Sequence, residues 1–278
     1  MRYRPGIFTL LLPLCLMHSV HAQEPESPIP SDDTAHNSIL WDVSNGGGIQ
    51  EHYAKLTLGL SKAVSTSLSL TSASDGAQGF SAGIIRNSEK GWLGLDYKTI
   101  EQSNDISSQS MALNGGRIVG DWAFSITPRY TRTSVYAKTG SKQSSSISAP
   151  GLSAGLTHRG KDLDIGAETG VNFYSDRLDS YITDSRKIGK VGLQSQLTTT
   201  GLEQSYWSAF LSRYHSWGEL GLDYLDTVTA VDLSHSQSVA ASIVYYLSRQ
   251  WDLRLALMQG VYSGSAQSTF TVGAKYYW

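Results

Sequence analysis

The chain has 278 residues, 40% of them hydrophobic and 17% charged, with 27 Gly, 7 Trp, 15 Tyr, 6 Phe, 7 Pro and a single Cys. So few prolines, a modest charge fraction and no G-X-Y repeat exclude a disordered chain and a collagen-like fibre. A formal net charge of -2 leaves no electrostatic footprint for nucleic acid.

The first 22 residues carry Arg2 and Arg4, an apolar run from Ile7 to Met17, and Val20-His21-Ala22 ahead of a polar stretch. This is the pattern of a secretory signal peptide, with cleavage expected after Ala22. Cys15 lies inside the apolar run behind Leu14, where a lipoprotein signal needs a small residue. The expected mature chain thus has no cysteine, and neither disulfides nor thiolate metal sites can form. Without Arg2 and Arg4 it holds 20 Lys+Arg against 24 Asp+Glu. Residues 23–36 begin QEPESPIPSDDTA, rich in Pro and acid with no strand pattern, and are expected to be a short extension ahead of the folded part of the chain.

From there on the apolar residues recur every second position, which is the period of a strand with one apolar face. In chain order such segments include HNSILWDV (36–43), HYAKLTLGLSKAV (52–64), STSLSLTSAS (65–74), GFSAGIIR (79–86), GWLGLDYKTI (91–100) and DWAFSITPRYTR (121–132). They continue with LDIGAETGVNFY (163–174), EQSYWSAFLSRY (203–214), whose alternation is weakest, and WDLRLALMQGVY (251–262). In the segment 163–174, Leu163, Ile165, Ala167, Val171 and Phe173 alternate with Asp164, Gly166, Glu168, Gly170 and Asn172. No window shows helical spacing, and no other stretch offers 18 consecutive apolar residues, so a membrane-spanning helix is excluded. The chain is all-β.

Tight connections are expected at Lys62–Ser65, Asn87–Lys90, Gly120–Asp121, Gly160–Asp162, Ser216–Gly218 and Ser248–Gln250. Between them lie longer polar ones: EQSNDISSQ, AKTGSKQSSS, the long segment 175–202, and DTVTAVDLSHSQ. Short turns alternating with long loops match a transmembrane barrel, whereas a soluble β-sandwich or lipocalin-type barrel is the competitor that single strands cannot distinguish.

The carboxyl end weighs against that competitor. Counting back from Trp278 in twos gives Tyr276, Ala274, Val272 and Phe270, while Thr269, Thr271, Gly273 and Lys275 occupy the other face. This alternation behind a terminal aromatic resembles the carboxyl-terminal signal of Gram-negative outer-membrane proteins, read by the barrel assembly machinery. The resemblance covers the chain from about residue 37 and is to the outer-membrane β-barrel superfamily, with no single family identified. It implies residence in the outer membrane, an even strand count and both termini periplasmic. Six short turns and two terminal strands then give a closed antiparallel up-and-down barrel over 37–278 of about 14 strands, with 12 and 16 as alternatives.

Fourteen strands at ~4.8 Å spacing and ~40° tilt give a backbone diameter of roughly 28 Å, and inward side chains leave an opening on the order of 10 Å unless loops fill it. With the apolar set outward, parity places Asp42, Lys55, Asp96, Lys98, Arg129, Asp164, Glu168, Glu219, Asp223, Asp252, Arg254 and Lys275 inside. These charges either line a hydrated lumen or neutralise one another across neighbouring strands. Asp42, Arg254 and Lys275 are expected to be lateral neighbours at the seam.

Outer-membrane lipid hydrolases place His and Ser two apart on a strand. Of the five histidines beyond residue 22, His52, His158, His215 and His235 have no Ser two residues on, and His36 alone does, in Ser38 at the start of the first strand segment. His52 and His215 are expected near the rims and His235 in a long loop. No catalytic, cofactor-binding or metal site is predicted. The expected partners are outer-membrane lipid, the assembly machinery and small solutes, with a protein partner left unidentified. A passive or weakly selective pore is the leading reading. A non-conducting scaffold in surface assembly or export is the alternative, and a lipid hydrolase or protease comes third.

Overall fold

The computed structural model describes residues 37–102, 106–136, 144–175, 203–230, 233, 235–262 and 265–278. These residues form fourteen strands: β1 (Ser38–Gly46), β2 (Ile49–Ser61), β3 (Val64–Ala73), β4 (Gln78–Ser88), β5 (Gly91–Gln102), β6 (Ile106–Val119) and β7 (Trp122–Tyr136). The second half comprises β8 (Ser144–Arg159), β9 (Leu163–Asn172), β10 (Glu203–His215), β11 (Gly218–Thr229), β12 (His235–Tyr246), β13 (Trp251–Tyr262) and β14 (Ser265–Tyr277). Each strand pairs antiparallel with its neighbours in sequence, and β1 pairs with β14 to close the barrel. Closure leaves no sheet edge, which is what hydrocarbon demands of a β structure because it offers no partner to an open N–H or C=O.

The apolar face of nearly every strand points away from the interior. Leu70 is 62% exposed, Leu93 58%, Val119 55% and Ile126 53%. A soluble sandwich would bury this set, so its exposure eliminates the soluble alternative. Rings crowd the outer face at the turn end of the wall. Trp122 packs edge-on against His158 at 4.8 Å, His215 stacks on Trp217 at 5.2 Å, and Trp251, Tyr276 and Trp278 follow one another at 4.8 and 6.0 Å. Such a ring belt is what a bilayer interface selects, since each ring offers an apolar body and a polar edge.

All six tight turns fall where the sequence pattern puts them. The opposite end differs from expectation in two ways. Connections there are not uniformly long: β1 and β2 are joined by Gly47–Gly48 alone, with φ of 60° and 82°, the two-residue hairpin whose positive angles glycine adopts without penalty. Strands also run further than the apolar pattern. β1 continues past Val43 because Ser44, Asn45 and Gly46 still pair with Thr271, Phe270 and Thr269. Likewise β11 and β12 take in Thr227, Thr229, Ser236 and Ser238, and β5 and β6 leave only 103–105 between them. A span needs ~9–11 residues, and beyond it the ladder is held by backbone pairing that polar residues satisfy equally well. The expected periplasmic extension and the segment 175–202 lie almost wholly outside the described residues.

Candidate lumen and its charged side chains

Strand register sets the inward face. Around the seam, Arg254 stands opposite Gly273, Gly273 opposite Asp42, and Asp42 opposite Tyr53, so four strands contribute one rung. A Cβ at Gly273 would overlap the Asp42 carboxylate, which lies over that glycine toward β13. The rung nearer the termini runs Asp252, Lys275, Leu40, Lys55. Tyr277 Oη donates to Asp252 Oδ2 at 2.7 Å, and Lys275 Nζ sits 5.0 Å above the Tyr277 ring. Asp42, Arg254 and Lys275 are thus grouped at the seam, with Lys275 one inward position removed from the other two.

At the same end of β9–β14, acids and tyrosines alternate strand by strand: Asp164, Tyr214, Glu219, Tyr246, Asp252, Tyr277. Tyr214 Oη donates to Asp164 Oδ2 at 3.3 Å, while register places Glu219 opposite Tyr214 and Tyr246 opposite Asp252. Asp223 stands two inward positions deeper than Glu219 on β11, opposite Ala240. On β5, Asp96 accepts from Asn114 Nδ2, and the carboxylate lies against Gly83.

A second group fills the arc from β7 to β10. Arg129 Nη1 donates to Glu203 Oε1 at 3.3 Å, with side chains only 8% and 1% exposed. The guanidinium carbon stands 5.6 Å from the centre of the Tyr206 ring, and Tyr206 Oη donates to Glu168 Oε1. Asn172 Nδ2 and Tyr174 Oη both donate to the Glu203 carbonyl, at 2.8 and 2.9 Å. Burial, reinforced by the negative charge of Glu203, pushes the Tyr174 phenol up, so it stays a donor at any physiological pH. Lys98 on β5 acts electrostatically on both Glu203 and Arg129.

These long side chains lie flat because the wall beneath them is glycine. A Cβ at Gly170 would strike the Tyr206 ring, one at Gly166 the Phe210 ring, and one at Gly151 the Asn172 amide oxygen. The arc from β11 to β14 is built otherwise beyond its row of acids and tyrosines, where inward side chains are almost fully covered: Thr227, Ala240 and Ala256 at 0% exposure, Thr271 at 3%, Met258 at 5%. Wall residues facing an empty 10 Å bore would keep a share of surface in water, so the described lumen is narrower than the bare-cylinder figure.

No protein-family model matches the chain, and no curated protein matches it. Among solved structures, the barrel is similar to outer membrane protein Omp33 of Acinetobacter baumannii, at 10% identity over 87% of this chain and 99% of that one, with a TM-score of 0.52. It also aligns with the trimer form of OmpT of Vibrio cholerae, at 9% identity, 87% and 98% coverage and a TM-score of 0.48. A third is a KdgM porin in complex with disordered oligogalacturonate, at 12%, 86%, 98% and 0.42. The chain has the fold of the outer-membrane β-barrels. At such identities the likeness speaks to fold and to nothing finer.

Within this outer-membrane barrel fold, the described histidines avoid the lumen. His52, His158 and His215 stand on the outer wall beside Trp41, Trp122 and Trp217, with His215 closing β10 at the turn end and His52 exposed near the start of β2, toward the rims as expected and each beside a ring. His235, expected in a loop, opens β12, and its Nδ1 lies 3.5 Å from Asp226 Oδ1, exposed to 67%. Among the described residues no three His, Cys, Asp or Glu side chains are grouped as metal ligands. Sequence reasoning missed Glu203 and Tyr206, and set Asn172 on the polar face of its strand without giving it a role in the lumen. Glu203 shares its parity with outward Trp207, but the register shifts between Glu203 and Ser205, and this irregularity turns Glu203 inward, opposite Thr229. The weak alternation of this segment was the available signal.

Proposed function

We propose that the chain resides in the outer membrane, with termini and short turns on the periplasmic side, and that its barrel is a narrow pore for ions and small solutes. The inversion of the wall carries the reading: apolar side chains outside, ionisable side chains of both signs within. Lipid supplies the solvent for the first set, and only a hydrated interior repays the second. A two-signed lumen also fits weak selectivity, since neighbouring fields largely cancel.

One observation favours a different reading. The covered wall of β11–β14 fits a non-conducting barrel that serves as a scaffold in surface assembly. Planar-bilayer recordings on refolded protein separate the two. Discrete conductance steps from protein shown to be folded by heat-modifiable migration are the expected result. A folded barrel that gives none would displace the pore in favour of the scaffold.

A further inference from the structure

The Arg129 group holds more hydrogen-bonding capacity than its neighbours use. Arg129 Nη1 is taken by Glu203, but Nε and Nη2 are buried with no hydrogen-bond partner. These two N–H groups share one edge of the guanidinium and form the side-on fork that grips a carboxylate with two parallel bonds. Two buried acceptors are equally unmet, Glu203 Oε2 and Asn172 Oδ1. They belong to the same place: Asn172 Oδ1 lies against Gly151, and Gly151 stands opposite both Arg129 on one side and Asn172 on the other. Unmet buried donors and acceptors are costly, more so when charged, so four of them gathered in one place mark a candidate binding site.

The unmet atoms narrow what that is. Both signs stand around them, Arg129 and Lys98 against Glu168 and Glu203, with Glu51 also acting on Lys98. A simple anion would meet the fork but leave the acceptors bare, and a simple cation would do the reverse. We infer that the Arg129, Glu203 and Asn172 group is a lumen station for small zwitterions, its free guanidinium edge taking a carboxylate while Glu203 Oε2 and Asn172 Oδ1 take an ammonium group. This rests on the pore reading for its route of entry and names the class of solute that the pore favours.

Glycine is the probe, with acetate and ethylammonium as single-charge controls. Calorimetric titration of the detergent-refolded full barrel is expected to give glycine binding at least tenfold tighter than either control. Arg129→Gln should weaken glycine at least tenfold, and Glu203→Gln should erase the preference for glycine over acetate, with both variants checked for folding by circular dichroism and heat-modifiable migration. Should either variant fail to fold, Asn172→Leu, which removes one acceptor and leaves the ion pair, is expected to weaken glycine while sparing acetate. In bilayers, glycine should reduce the salt current of the wild-type protein and not that of Arg129→Gln. Equal binding of the three probes, or glycine binding unchanged in folded variants, would overturn the zwitterion station and mean that water alone fills it; channels could then still be present and the pore stand. Glycine binding without channels would leave the station in place and remove the pore.

Discussion

The two arcs of the inner wall solve the same packing problem in opposite ways. From β7 to β10 the wall is hollowed by Gly151, Gly155, Gly166 and Gly170, and long side chains lie down in the hollow. From β11 to β14 long side chains gather in the row of acids and tyrosines at the turn end, and beyond it the wall is lined by Ala, Thr and Met that are almost fully covered. The difference teaches that inward glycines in this barrel are not gaps in the pattern. They are places where a side chain of the next strand, such as Tyr206, Phe210 or Asn172, is laid over the wall.

Breaking the ion pair tests the hollowed arc hardest. Arg129→Ala leaves the Glu203 carboxylate buried without its ion-pair partner, which is expected to destabilise by roughly 3–5 kcal/mol, read from urea unfolding in lipid bilayers. An effect below ~1 kcal/mol would mean that water already serves Glu203 and that the pair is not a packed unit. Filling a hollow is the next step down. Gly170→Val drives a side chain into the Tyr206 ring, with an expected cost of about 1–3 kcal/mol, whereas Ala256→Gly in the smooth arc should cost no more than about 1 kcal/mol. Equal costs for the two would erase the distinction between the arcs.

The belt outside the wall gives a smaller thermodynamic effect with a larger biological one. Tyr276→Asp removes a ring held between Trp251 and Trp278; near an interface the folded barrel should lose on the order of 1 kcal/mol. Assembly in cells should nonetheless fall sharply, and likewise when Trp278 is deleted, because the terminal pattern of Phe270, Val272, Ala274, Tyr276 and Trp278 is proposed to be what the assembly machinery reads. Normal heat-modifiable barrel in both variants would contradict this. The gentlest change is electrostatic. Reversing Arg254 and Lys275 to Glu adds negative charge to the seam rungs and should shift reversal potentials in a KCl gradient toward cation selectivity. The shift should fade in concentrated salt as the screening length drops below its physiological ~8 Å.

How much of this was legible beforehand follows from what each residue answers to. Alternation such as that of Leu163 to Phe173 is a direct imprint of lipid on one face and water on the other, so strands, turns and parity could be read from it. Strand ends could not, because Ser44 or Thr229 pairs through its backbone, beyond the reach of the apolar signal. The Arg129 group was half legible. Lys98, Arg129 and Glu168 fell to parity and Asn172 shared their polar face, but Glu203 depended on a register shift, and the way Tyr206 and Asn172 lie over Gly170 and Gly151 could not be read from alternation. A period of two says which way a side chain leaves the wall and nothing about where its far end comes to rest.

The seam carries a consequence of another kind, for the order of events in folding. Every other ladder joins strands that follow one another in sequence, each closed by its own connection, while β1 and β14 lie at opposite ends of the barrel chain, as the pairing of Trp41 with Ala274 illustrates. Bringing such distant segments together from an open chain would cost on the order of 5 kcal/mol in loop entropy, but a row of hairpins already zipped side by side curls its two edges toward each other. The seam is then the last ladder to form, and until it does β1 and β14 are open edges in lipid. The nine pairs that close it, from Ser38 with Tyr277 to Gly46 with Thr269, are the step at which a curved sheet becomes a tube.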